Sequence, residues 1–460
     1  MSSNQYTAGA VILAAGKGTR MYSDKPKVLQ PLLGEPMLRF VYRALDPLFS
    51  KAVWTVIGHG ADMVRKAFCH EDREFVLQEK QLGTGHALQC AWDKVTASGI
   101  DYVLVINGDT PLVRPDSIVR LLDRTAGSGA DVGFITLTLE DPAAFGRVVR
   151  RHGHVAAVIE AKDYDTAQHG PEPREINAGI YLLKVAAVSP LLPLLTNANA
   201  SGEYYITDIV ELAVRQGLRV EGVECGNDPD LLGVNTPAEL MRSEELLREN
   251  IVTRHLHNGV HVHAAGSVRI GPDVVIEPGA VIHGPCELYG NTFVGAQAVI
   301  DSHCWVKDSR LHPGSTLRNF SHAEQAEIAT GAVAGPYARL RPGAVLEQDA
   351  RMGNFVEMKK AVLRKGAKAS HLTYLGDADI GSEANIGAGT ITCNYDGVNK
   401  HRTVIGEKAF IGSNTALVAP VSIGKQALVG AGSVITKDVE DGELAIARGR
   451  QKNLRKTRHS

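Results

Sequence analysis

The chain has 460 residues, 44% hydrophobic and 22% charged, with a formal net charge of −2. That length calls for two or three domains with packed cores. The balanced charge and an aromatic share of only 5% exclude a nucleic-acid or anionic-membrane surface as the main business of the protein, and no run approaches the roughly 18 apolar residues of a membrane span.

The opening residues lack the charged start and cleavage site of a signal peptide. Over about the first 230 residues, apolar runs of buried-strand length alternate with segments of helical spacing. Residues 10–16 (AVILAAG), 51–58 (KAVWTVIG), 102–108 (YVLVING) and 131–139 (DVGFITLTL) predict strands; 37–46 and 61–68 predict helices between them. Such alternation builds a mostly parallel sheet covered on both faces, whose ligands bind over the carboxyl ends of the strands. The surroundings of Gly16, Asp109 and Asn177 are therefore the places to look. From Pro237 to about Arg254, a stripe of Leu240, Leu247 and Ile251 with acids early and bases late predicts a long helix, with Thr236 before Pro237 as its cap. The domain boundary falls there.

Beyond it the period becomes six. Ile270, Ile276, Ile282, Leu288, Val294, Ile300 and Val306 recur at that spacing, and the pattern resumes over 328–352, 380–386 and 405–435. A six-residue aliphatic period marks a parallel β-helix, and its turns account for the high glycine content, 47 of 460 residues. Breaks of phase near 318–327, at 358–379 and at 392–404 predict insertions, the last two rich in polar clusters.

The segment Leu13-Ala14-Ala15-Gly16-Lys17-Gly18-Thr19-Arg20-Met21 fits neither the P-loop nor the dinucleotide fingerprint, yet its backbone N–H groups and cations suit a triphosphate. With Lys25-Pro26-Lys27, Gln78, the loop from Gln81 to His86, Asn107-Gly108-Asp109, Phe145-Gly146-Arg147, Glu160, Asn177 and Val234-Asn235, it resembles the nucleotidyltransferases that make nucleoside-diphosphate sugars. Joined to a hexapeptide half, the chain resembles, over essentially its whole length, the family of bifunctional N-acetylglucosamine-1-phosphate uridylyltransferases and glucosamine-1-phosphate acetyltransferases.

That resemblance implies an α/β, Rossmann-like nucleotidyltransferase domain with a mostly parallel sheet over residues 1–234. A linker helix at 235–255 and a left-handed parallel β-helix of hexapeptide repeats at 256–460 follow. It implies Lys27 and Arg20 as catalytic cations, and Asp109 and Asn235 as oxygen ligands of Mg²⁺, which keeps water and phosphate oxygens in its shell. Leu13, Ala14, Ala15, Gly16, Gln78, Gly83, Thr84, Asn107 and Gly108 would bind nucleotide, and Gly146, Glu160 and Asn177 the sugar. In the second half it implies His371 as base; of the nearby residues Asp377 or Glu357 could orient it, and the sequence does not choose between them. Arg341, Lys359, Tyr374 and Asn385 would bind the amino-sugar phosphate, and Ala388, Asn394, Tyr395, Ser413, Ala431 and Arg448 acetyl-CoA. Histidine suits the base because it titrates near neutrality. The same resemblance implies a cytoplasmic homotrimer. His255, His257, His261 and His263 lack a cysteine or carboxylate to complete a metal set, and the six cysteines contain no C-x-x-C pair, as reduced thiols would not.

Overall fold

The computed structural model describes residues 6–49 and 52–454. The chain divides into two compact units, Met1–Glu245 and Leu246–Ser460, with the division inside the helix Pro237–His257.

In the first unit seven strands lie in the order Val220–Glu224, Val132–Thr138, Glu175–Lys184, Tyr102–Asn107, Ala8–Ala14, Val53–Ile57 and Glu74–Leu77. All pair in parallel except Glu175–Lys184, which is antiparallel to both neighbours. A hairpin of Arg147–Arg151 and His154–Ile159 joins it through Ile176 and Arg147. The unbroken apolar runs are explained by burial on both faces. Ala10 and Ile12 enter one core with the helices Met37–Phe49 and Pro115–Thr125, while Val11 enters the other with Thr84–Ala97 and Asp208–Arg215. Because Glu175–Lys184 is reversed, its beginning, with Asn177, lies at the carboxyl ends of the parallel strands. A register shift between Asn177 and Tyr181 accommodates Gly179 at φ 77°.

The helix Pro237–His257 starts with a capping box: Thr236 Oγ1 accepts from Glu239 N at 3.2 Å, and Glu239 Oε2 accepts from Thr236 N at 3.1 Å. The same Oε2 accepts from Asn235 N at 2.5 Å, so the cap also holds Asn235. Of the expected stripe only Ile251 is fully buried. The covered side chains are Arg248, Ile251, Val252 and His255, while Leu240 and Leu247 are half-exposed.

The second unit is a left-handed parallel β-helix of three parallel sheets with 11, 10 and 9 strands. Inward residues stack in columns. One runs Ile282, Ile300, Leu317, Ala334, Met352, Ala369, Ile386, Ile411 and Val429. The sequence expectation of insertions near 318–327 and at 358–379 is corrected here. Val306 pairs with Ala323 and Ala323 with Leu340; Met358 pairs with Leu375. These coils are one residue shorter, and alanine fills inward positions that an aliphatic pattern overlooks. His371 therefore belongs to an ordinary strand, Lys368–His371. Only the third break is an insertion: Thr392 pairs with Leu417, and the extra length bulges outward with an antiparallel bridge of Tyr395 and Lys400.

Candidate functional sites

A cavity of about 640 Å³ opens over the carboxyl ends of the strands Ala8–Ala14, Glu74–Leu77 and Tyr102–Asn107, as the parallel sheet requires. It collects Leu13, Ala14, Ala15, Gly16, Lys27, Gln78, Gly83, Thr84, Asn107 and Asp109. Gly108 N donates to Leu13 O at 2.8 Å, tying the Asp109 turn to the glycine-rich loop. At Gly18 (φ 60°) a Cβ would stand 2.7 Å from Lys27 Cβ, so only glycine lets this loop fold against Lys27.

At one end of the cavity, buried Gln78 donates from Nε2 to Gly83 O at 3.1 Å. Gly83 (φ 108°) precedes the helix Thr84–Ala97, and a Cβ there would lie 2.5 Å from Tyr204 O. Thr84 Oγ1 accepts from Ile206 N at 3.1 Å. At the other end Lys27 Nζ is bonded to Asp109 Oδ2 and lies 3.1 Å from Asn235 Oδ1, which also accepts from Arg20 Nη2 at 3.0 Å. Asp109 Oδ1 is buried without a hydrogen-bond partner among the described residues. Val234 N donates to Asp109 O at 2.8 Å.

Gly146, Glu160 and Asn177 gather beside this cavity rather than in it. Asn177 N donates to Gly146 O at 2.9 Å, and a Cβ on Gly146 would meet Glu160 Oε1 at 3.6 Å. Thr207 Oγ1 donates to Glu160 Oε1 at 3.1 Å. Burial raises the Glu160 carboxyl above its ordinary range, against the pull of the Thr207 hydroxyl. Glu160 lines a further cavity of about 1040 Å³ with Asp163 and Asp208. Burial and then the Glu211, Glu160 and Asp163 charges push Asp208 up to about 6. Asn107 connects the two regions, its Nδ2 lying 2.7 Å from where a Cβ on Gly179 would stand.

In the β-helix, one corner carries a ladder of sequence-predicted residues on successive coils. Leu372 N donates to Asn354 O, Gly389 N to Leu372 O, Asn414 N to Ala388 O and Gly432 N to Ser413 O, all at 2.8–3.0 Å. Arg448 Nη1 then reaches Ala431 O at 2.6 Å. His371, Ala388, Ser413, Ala431 and Arg448 thus share one edge. The side chain that His371 Nδ1 meets is neither of the two carboxylates named from sequence. His371 Nδ1 lies 2.6 Å from Asn354 Oδ1, whereas Glu357 pairs with Arg341 at 2.8 Å and Asp377 accepts from Asn394 Nδ2 at 2.5 Å. An amide oxygen accepts a hydrogen bond from Nδ1–H, which leaves Nε2 with its lone pair.

Lys359 and Tyr374 lie on the strands Glu357–Lys359 and Tyr374–Gly376 of one sheet, with Arg341 just after the neighbouring strand. Asn385 does not join them: it pairs with Lys368 and Phe410 in another sheet. The ammonium groups of Lys400 and Lys359 face each other, and Lys400 first, then Arg341, pull the Lys359 pKa down. Tyr395 is exposed on the inserted loop with Lys400.

Residues 10–169 match the family model of the MobA-like NTP transferase domain, and residues 402–437 that of the bacterial transferase hexapeptide (six repeats). The chain is 64% identical to "Bifunctional protein GlmU" of Nitratidesulfovibrio vulgaris (strain Hildenborough), over 97% of this chain and 98% of that one. It is 47% identical to the protein of the same name from Lawsonia intracellularis, over 98% of each. The chain belongs to the bifunctional GlmU family. It is a transferase with two activities: acetyl transfer from acetyl-CoA to glucosamine 1-phosphate, then uridylyl transfer from UTP to N-acetylglucosamine 1-phosphate with release of pyrophosphate. No helix among the described residues is long and apolar enough to cross a membrane.

A GlmU-family nucleotidyltransferase calls for a divalent metal, and the residues present fit one. Asp109 offers an unpartnered buried oxygen, Asn235 a second hard oxygen, and the Lys27 ammonium already sits between the two side chains. Among the described residues no group of three or more His, Cys, Asp or Glu forms a metal cage, so most of such an ion's shell would be left to phosphate and water.

Sequence reasoning passed over Gly233, where a Cβ would come within 3.0 Å of Asp109 Oδ1, and over Thr207, Asn354 and Lys400. A glycine just before Val234-Asn235 was visible but had no pattern to belong to. Asn354 becomes visible only when strands are laid in register, seventeen residues before His371.

Proposed function

We propose that Asp109 and Asn235 hold Mg²⁺ and that Lys27 and Arg20 neutralise the phosphates during uridylyl transfer. The observation that carries this reading is the Lys27 ammonium bridging Asp109 and Asn235 beside an unpartnered carboxylate oxygen. When bound, the ion offsets phosphate charge and orients the triphosphate oxygens. The loop Leu13, Ala14, Ala15 and Gly16 cradles UTP; Gln78, Gly83 and Thr84 read the uracil; Asn107 and Gly108 line the nucleotide–sugar junction. Gly146, Glu160 and Asn177 hold N-acetylglucosamine, so that its phosphate oxygen attacks the α-phosphorus and pyrophosphate leaves.

In the second unit His371 Nε2 takes a proton from the amine of glucosamine 1-phosphate. The amine nitrogen bonds to the thioester carbonyl carbon, the C–S bond breaks, and the proton passes to the leaving CoA sulfur. Arg341, Lys359, Tyr374 and Asn385 bind the amino-sugar phosphate, and Ala388, Asn394, Tyr395, Ser413, Ala431 and Arg448 the acetyl-CoA. The separation of Asn385 from the other three in a single chain favours a site completed by a second copy, hence a homotrimer packed through the β-helix. The place of action is the cytoplasm, with small-molecule substrates and neither nucleic acid nor membrane as partner.

The test supplies the full chain with glucosamine 1-phosphate, acetyl-CoA, UTP and Mg²⁺, following CoA and pyrophosphate separately. Both should appear, pyrophosphate only after acetylation, and a chelator should stop pyrophosphate release alone. Chelator-resistant pyrophosphate release would remove the metal from the reading.

A further inference from the structure

The hydrogen bonds of the Gln78 side chain say more than that an amide lines the nucleotide cavity. A backbone carbonyl only accepts, so the atom 3.1 Å from Gly83 O must be the amide nitrogen. That same nitrogen lies 2.9 Å from His86 Nδ1. With one hydrogen given to Gly83 O, the second has His86 Nδ1 as its acceptor, which puts the imidazole proton on Nε2, the nitrogen 3.9 Å from Cys90 Sγ. Both amide hydrogens are then engaged. Oε1 has no hydrogen-bond partner among the described residues, and Gln78 lines the cavity while being 2% exposed. His86 and Gly83 are both at the start of the helix Thr84–Ala97, so one helix end supplies both acceptors.

We infer that His86 is a positioning residue for nucleotide selection: by accepting the second amide hydrogen of Gln78 it locks the amide so that only an acceptor faces the base. The inference rests on the proposed reading of this cavity as the nucleotide site. A base with an N–H at the centre of its pairing edge, uracil or thymine among pyrimidines, meets Oε1 as a donor. Cytosine presents a ring nitrogen lone pair there, and oxygen faces lone pair. Turning the amide over to suit cytosine would set Oε1 against Gly83 O and force the imidazole proton from Nε2 to Nδ1 before His86 could bond it again. A buried polar mismatch of this kind rejects the wrong partner by about 10²–10⁴.

The experiment measures kcat/KM for UTP and for CTP, with N-acetylglucosamine 1-phosphate, in the full-length wild type, His86→Phe and His86→Asn. Phenylalanine keeps a ring in the helix but cannot accept; asparagine restores an acceptor. The UTP:CTP ratio should fall at least tenfold in His86→Phe and recover in His86→Asn. Far-UV circular dichroism and the melting transitions of each full-length variant, compared with the wild type, report that the first unit is folded. Equal loss on both nucleotides with an unchanged ratio, or no recovery with asparagine, would reduce His86 to a packing role and overturn the inference. If His86→Phe turns over neither nucleotide, direct titration with UTP and CTP reads the same ratio from binding. A wild type that used neither nucleotide would instead sink the reading of the cavity itself, so the two failures are distinguishable.

Discussion

The two units assemble their sites in opposite ways. In the first, residues far apart in sequence converge through contacts that occur once each: Gly108 on Leu13, Val234 on Asp109, Gly85 on Tyr204. In the second, His371, Ala388, Ser413 and Ala431 occupy equivalent positions on consecutive coils, and the ladder that spaces the backbone also spaces the chemistry. A convergent site depends on topology, with each loop answerable to a different part of the sheet. A repeating site depends on register, which is why outward bulging between Thr392 and Leu417 is tolerated while the inward columns continue.

The hardest test of that separation uses one substitution in each unit. Asp109→Ala should lower uridylyl transfer by about 10³ or more, because it removes the oxygen proposed to hold the metal and leaves Lys27 without its carboxylate, while CoA release from the same protein stays at the wild-type rate. His371→Ala should do the reverse, lowering acetyl transfer by about 10²–10⁴ with pyrophosphate release from supplied N-acetylglucosamine 1-phosphate unchanged. Loss of both activities from either variant would break the comparison.

A smaller effect sharpens the ladder. Asn354→Ala removes the acceptor that holds His371 Nδ1 and should lower the acetyl-transfer kcat about tenfold with little change in KM for acetyl-CoA. Asn354→Asp should shift the acidic limb of the pH–rate profile, since a carboxylate stabilises the imidazolium more than an amide does. An unmoved profile together with full activity in Asn354→Ala would return the orienting role to another group.

The smallest expected effect concerns stability. His255 is buried, both ring nitrogens lack a partner among the described residues, and burial followed by the Arg254 charge holds its pKa below the ordinary imidazole range. Below about pH 6.5 the unfolded chain binds this proton more readily than the folded one. Its contribution is therefore complete above that pH and is lost as pH falls through the folded-state value. His255→Phe should flatten the fall in Tm on acidification toward pH 5; a parallel fall in both proteins would show that His255 is not the group responsible.

Much of this molecule was legible in its sequence because its regularities are local. A strand buried on both faces is mostly apolar, a helix that starts at Pro237 takes Thr236 before it as a cap, and most coils return an aliphatic residue inward at every sixth position. Residue chemistry in family order was also legible, since Asp109, Lys27, Gln78 and His371 carry groups that suit the roles proposed for them. Illegible were the one-residue shortenings of the coils, because alanine inside a β-helix looks like alanine anywhere, and a missing residue resembles a broken pattern.

The sequence by itself determined the two architectures and the family, and supplied the residues proposed for each site. Only the tertiary structure decided which partner each group keeps. Asn354 rather than Glu357 or Asp377 faces His371; Gly233 leaves room for the Asp109 carboxylate; Gly83 and His86 settle which way the Gln78 amide points. Periodicity and residue type are properties of the chain read in order, whereas a hydrogen bond requires two atoms within about 3 Å, and that distance is set by strands and loops far apart along the chain.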